Sequence, residues 1–131
     1  MGSATALPTQ PSARWNQLLS ALQRSTAGIQ SVTLASADGL SLSSTLRDPL
    51  EADRLAAMAS SMSGLASALS RESGHGEPVR LILESAEGLF LAMSVPRSAG
   101  PMVLAVVTTP QALLGKLLWN CRHAAGLLAD G

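Results

Sequence analysis

The sequence predicts a three-layer α/β/α sandwich: helices on both faces of a five-stranded, mostly antiparallel sheet, in the order α-β-β-α-β-β-β-α. Three observations predict it. Two alternating segments, 31–45 and 79–95, each turn back at an acidic-Gly pair, Asp38-Gly39 and Glu87-Gly88. Asp-Gly is the strongest short hairpin signal because a tight turn needs positive φ, which Gly supplies without steric cost; Glu-Gly is a weaker form. A third apolar run, Met102 to Val107, lacks alternation and fits a central strand covered on both faces. Three segments with apolar residues three and four apart supply the helices.

The elements follow in order. Pro8 and Pro11, among Thr and Gln, read as a flexible arm over residues 1–11, leaving residues 12–131 as one domain. Trp15, Leu18, Leu19 and Leu22 form one helical stripe, with Ser12 able to cap its start and Gly28 just past its end. The first hairpin has Val32, Leu34, Leu40 and Leu42 as apolar positions. Asp48-Pro49-Leu50-Glu51 opens the second helix: Asp48 at the N-cap, Pro49 in the first turn, Glu51 returning a bond to the cap. That helix runs to about Arg71, where Ser73-Gly-His-Gly-Glu-Pro78 breaks it. The third strand, Val79 to Glu84, opens the second hairpin. After the central strand, Thr109 can cap and Pro110 start a last helix with the stripe Leu114, Leu117, Leu118, Cys121, Ala125 and Leu128.

Composition narrows the function classes. Of 131 residues, 47% are hydrophobic and only 14% charged, against about a quarter charged in a typical soluble domain. Part of the surface is therefore expected to be covered by another chain. Net charge is zero and no run of Lys or Arg occurs, so neither nucleic acid nor anionic membrane is an expected partner. A single cysteine, Cys121, rules out an internal disulfide and points to a reducing cytoplasm. No secretion signal or membrane span is expected. Eight Arg against one Lys, with much Ala and Leu, suggests a GC-rich bacterial genome.

The middle helix has no charged side chain from Leu55 to Ser70. Leu55, Met58, Met62, Leu65 and Leu69 form a stripe expected to lie on the sheet, with Met58 and Met62 in the core. Ala57, Ser61, Gly64 and Ala68 make a ridge of small residues on one flank, while Ala56, Ser60, Ser63 and Ser67 are expected to point outward. Small ridges let two helices approach closely. Two readings are open: a helix buried in its own domain or bare without a role, or one that packs against its own copy and leaves a flat neutral surface for a third protein.

Chemistry is expected to be absent. Gly115-Lys116 is followed by Leu inside an amphipathic helix, so there is no phosphate loop. Gly74-His75-Gly76 lacks the third glycine and preceding strand of a dinucleotide fingerprint. With His75, His123 and Cys121 scattered, no metal site is expected, and Cys121 reads as a buried inert thiol. No cofactor is expected, and the chain is not expected to be an enzyme. Arg47, Arg71, Arg80 and Arg97 lie in or near loops and strand starts, and nothing in the sequence picks one out as an inserted catalytic arginine. Arg80 and Glu84 share a strand face and suit pairing across a dimer edge.

The strand into Ser-Ala-Asp38-Gly39-Leu40, the helix Asp53-Arg-Leu-Ala-Ala-Met-Ala-Ser60, the hairpin around Glu87-Gly88-Leu89-Phe90 and the final apolar strand and helix resemble the Roadblock dynein light-chain domain in its small bacterial form, over roughly residues 14–129. The resemblance implies a profilin/roadblock-like fold and a homodimer joined along the third strand (Val79, Arg80, Leu81, Ile82, Leu83, Glu84) and the second helix (Ala57, Ser61, Gly64, Ala68). It also implies binding and regulation of a Ras-like small GTPase, placed on Ala56, Ser60, Ser63 and Ser67, with a sensor-kinase complex as a further possible partner. A passive homodimeric scaffold, without effect on GTP hydrolysis, is the alternative.

Overall fold

In the computed structural model, which describes residues 11–130 (side chains from 13), five antiparallel strands separate a two-helix layer from a single long helix. The elements are α1 (Pro11–Ser25), β1 (Ile29–Ser36), β2 (Ser41–Ser44), α2 (Pro49–Glu72), β3 (Arg80–Ser85), β4 (Gly88–Val95), β5 (Met102–Thr108) and α3 (Leu114–Ala129). The expected order holds, and every strand pair is antiparallel, with spatial order β2-β1-β5-β4-β3. The arm over residues 1–11 lies outside the described residues apart from Pro11, which already opens α1, one position before the cap expected at Ser12.

Strand alternation builds two unlike cores. Val32, Leu34, Leu91, Met93, Val95, Leu104 and Val106 point to one face, where Trp15, Leu19 and Leu22 of α1 and Leu117, Cys121 and Leu128 of α3 cover them. Each such Leu, fully buried, contributes about 1.5–3 kcal/mol. Arg97 stacks on Trp15 with its guanidinium carbon 5.4 Å from the ring centroid. The opposite face is made of small residues, Ala35, Ala92, Val103 and Ala105, and receives Ala56 and Ala59 of α2. Alanine against alanine lets the helix axis come close to the sheet without a gap.

That size match reverses the expected orientation of α2. Ala52, Ala56, Ala59 and Ser60 are its buried residues, and the stripe expected on the sheet faces solvent instead. Met58 is 56% exposed, Leu65 72% and Leu69 68%, while Leu55 and Met62 are half-buried. Five bulky side chains would not fit as closely above Ala35, Ala92 and Ala105. Ser60 then satisfies its hydroxyl by donating to the Ser36 carbonyl at 2.8 Å.

Other boundaries shift for local reasons. Asp48 Oδ1 accepts from the Leu50 N–H at 3.0 Å, as an N-cap should, although no return bond from Glu51 joins it. Pro110 lies in a turn closed by Ala112 N–H to the Thr109 carbonyl at 3.3 Å, so α3 starts at Leu114 rather than at Pro110. In the first hairpin Gly39 has φ 98° at the turn, as expected. In the second, Ala86 and Glu87 occupy the tip and Gly88 opens β4. A Cβ at Gly88 would run into the Thr108 carbonyl oxygen, so close approach of two strands is an added reason for this glycine.

Candidate functional site

The molecule leaves two surfaces unsatisfied. β3 is an edge strand, paired only with β4, so its outer row of N–H and C=O groups is free. Apolar side chains are exposed along it: Val79, just before the strand, is 67% exposed, and Ile82 and Leu83 are also open. The second surface is the outward stripe of α2, Met58, Leu65 and Leu69. Only the first half of α2 packs tightly on the sheet. Beyond Ser60 the helix leaves a groove of about 390 Å³ between Ser63, Gly64 and Ser67 on one wall and Val79, Leu81 and Ala92 on the other. The groove runs into the β3 edge through Val79, Arg80 and Leu81, while the stripe lies on another side of α2, with Met58 beside Gln30, Leu46 and Val107; exposed apolar surfaces of this kind mark interaction sites.

The loop from α2 to β3 is held by charge. Arg71 donates to Glu77 Oε2 at 2.7 Å, and Arg71 together with the Ser67 hydroxyl lowers the Glu77 carboxyl below its ordinary range. Ser73 Oγ lies 2.8 Å from His75 Nδ1. At the other hairpin, Ser36 Oγ donates to Asp38 Oδ1 at 2.6 Å and lowers that carboxyl.

The structure brings most residues expected at a dimer contact to this region. Ala57, Ser61, Gly64 and Ala68 are exposed on one flank of α2; Val79, Ile82, Leu83 and Glu84 are exposed at the edge, with Arg80 and Leu81 half-buried. The surface expected for a third protein needs correction. Ala56 is fully buried under α2 and Ser60 is bonded to Ser36, so neither can touch a partner. Ser63 and Ser67 line the groove rather than an outward platform. The expectation that Met58 and Met62 fill the core fails for the same reason. The overlooked signal was the second stripe, Ala52, Ala56 and Ala59, at helical spacing and matched in size to Ala35, Ala92 and Ala105.

Among the four arginines weighed, Arg97 is held by Trp15 and Met102, and Arg71 by Glu77. Arg80 is half-buried and Arg47 exposed. Cys121 is buried, and desolvation pushes its thiol up to about 12. No group of three potential metal-ligating side chains occurs among the described residues, and no described helix is long and apolar enough to cross a membrane.

An open sheet with an exposed apolar edge at β3, flanked by one long helix with an outward apolar stripe, defines an interaction domain of the α/β/α class. The chain belongs to the Roadblock/LC7 domain family, whose model matches residues 15–108. A Roadblock/LC7 domain from Streptomyces avermitilis superposes with a TM-score of 0.80 at 25% identity, over 86% of this chain and 92% of that one. An MglB solved in a tetrameric arrangement gives 0.82 at 20% identity over 99% and 96%. Myxococcus xanthus MglB gives 0.80 at 16% over 99% and 92%; at these identities the two MglB structures share the fold. Comparison with curated protein sequences finds no match. Members of the family are regulatory or binding modules.

Proposed function

We propose that the protein is a homodimeric regulatory module for a Ras-like small GTPase in the cytoplasm. The observation that carries the reading is that one domain leaves open both a sheet edge at β3 and an uncharged, apolar stripe on α2. Pairing β3 with its copy would continue the sheet through both protomers and remove both edges. The groove joins β3 to the C-terminal half of α2, so this pairing sets that half beside its copy and covers Leu65, Ala68 and Leu69. A stable contact of this kind buries about 1,200–2,000 Å² in total. The N-terminal half of α2, with Arg54, Ala57, Met58 and Ser61 exposed, then remains open for the GTPase.

Activation, in this reading, comes from holding the GTPase's own catalytic loops rather than from an inserted arginine. Arg71 and Arg97 are already engaged within the fold, which supports that choice. The test is recovery of a GTPase from the native host on the immobilised protein, followed by GTP hydrolysis with and without it. Met58→Arg and Ser61→Arg should abolish binding while the dimer persists. Arg47→Ala, Arg71→Ala, Arg80→Ala and Arg97→Ala should each keep most of any stimulated rate. Complete loss of stimulation in one of these four, with binding retained, would establish an arginine finger and overturn the mechanism. Binding without any stimulation would leave a docking module.

A further inference from the structure

We propose that the α1/α3 face, on the opposite side of the sheet from α2, is a second docking surface for an acidic amphipathic helix of a partner protein. Charge is segregated between the two helical layers although the chain as a whole is neutral. α1 and α3 carry Arg14, Arg24, Lys116 and Arg122 and no carboxylate, whereas α2 carries Glu51, Asp53 and Glu72 against Arg54 and Arg71. None of the four cations is in an ion pair among the described residues. The first carboxylate after α3 is Asp130, just past its end.

Between the two helices runs a groove of about 260 Å³ lined by Leu18, Ala21, Leu22, Asn120, His123 and Leu127. Two hydrogen bonds between the helices mark its ends. Arg14 donates to the Leu127 carbonyl at 3.2 Å, and Asn120 Nδ2 donates to Thr26 Oγ1 at 2.7 Å. From Arg14 to Ser25 the helical rise gives a length of roughly 16 Å, about three turns of an incoming helix. Trp119 stands one turn before His123 and is 72% exposed on the outer side of α3. Arg14 and Lys116 continue the two helix faces that line the groove, one turn before Leu18 and Asn120, whereas Arg24 lines a separate hollow with Ser20, Gln23 and Thr45. A leucine-lined groove with a cation at each end and a solvated tryptophan on the same helix suits an amphipathic helix: leucine-type residues enter the groove, carboxylates meet the cations, and the indole packs alongside. The concave shape favours a helix over a lipid surface, which takes up protruding apolar side chains. Each protomer contains the whole groove, so the inference stands independently of the dimer and of the GTPase.

The full-length protein would be titrated with a synthetic helix of about eleven residues, leucine at one face and glutamate elsewhere, with the lysine-for-glutamate peptide as control. Emission from Trp119 is the readout, since Trp15 is buried; Trp119→Phe should remove the signal. The glutamate peptide should shift the emission to the blue with an affinity that falls as salt rises, and the lysine peptide should not. The double variant Lys116→Glu/Arg122→Glu should lose about tenfold or more in affinity for the glutamate peptide and gain the lysine peptide, with an unchanged melting temperature. Equal binding of both peptides, binding of neither, a shift caused by phosphatidylserine vesicles that competes with the peptide, or a shift produced by raising protein concentration alone would each overturn the proposal.

Discussion

Ser60 shows how one side chain reports the orientation of a whole helix. Its hydroxyl is buried and donates to the Ser36 carbonyl, which also accepts the Gly39 N–H, so Ser60→Ala removes one of the two hydrogen bonds that this carbonyl accepts. The expected cost is about 1 kcal/mol, read from chemical denaturation. The residue before it, Ala59, is fully buried in one cluster with Ala92 and Ala105. Ala59→Leu should therefore destabilise by about 1–3 kcal/mol through overpacking. Had Ala59 faced solvent, the same change would be neutral or slightly favourable to the helix. Cys121 belongs to the same scale: its buried thiol, pushed up to about 12, should resist alkylation in the native protein and react fully once the chain is unfolded.

At the scale of elements, α2 carries two stripes, and the packing partner chose between them. The larger stripe has more apolar area to bury, but the buried sheet face beneath is Ala35, Ala92, Val103 and Ala105, with the larger Leu81 and Phe90 only partly buried against that cluster. Burying small residues there brings helix and sheet into close contact, and leaves Leu65 and Leu69 for another protein surface. If they are covered in a dimer, Leu65→Glu/Leu69→Glu should weaken association by at least about a hundredfold. The folded monomer should survive, because both side chains are already open to water. Analytical ultracentrifugation reads the first outcome and circular dichroism the second; loss of helical signal would mean that the two leucines serve the protomer itself.

At the scale of the whole molecule, one face of the sheet bears a helix without charge from Leu55 to Ser70 and the other a cationic pair of helices. If two copies pair antiparallel through β3, like faces fall on the same side, so the assembly presents two α2 helices on one side and two cationic grooves on the other. Mass action then links stability to concentration: the melting temperature should rise as protein concentration increases. In Leu65→Glu/Leu69→Glu that dependence should vanish. A concentration-independent melting temperature in the wild type would contradict the dimer.

The sequence by itself determined the element order, the antiparallel hairpins, the strand faces of the larger core and the inert setting of Cys121. These rest on period, turn chemistry and capping, which act over a few residues. The family could likewise be read from the order and spacing of segments. The tertiary structure alone decided which stripe of α2 is inside, because that depends on the size of side chains brought beneath it from β1, β4 and β5, as far apart along the chain as Ala35 and Ala105. It also decided that Ala56 and Ser60 are unavailable to a partner. The basic face had the same origin: Arg14 and Lys116 lie about a hundred positions apart in sequence, and only the packing of α1 against α3 places their charges on one surface.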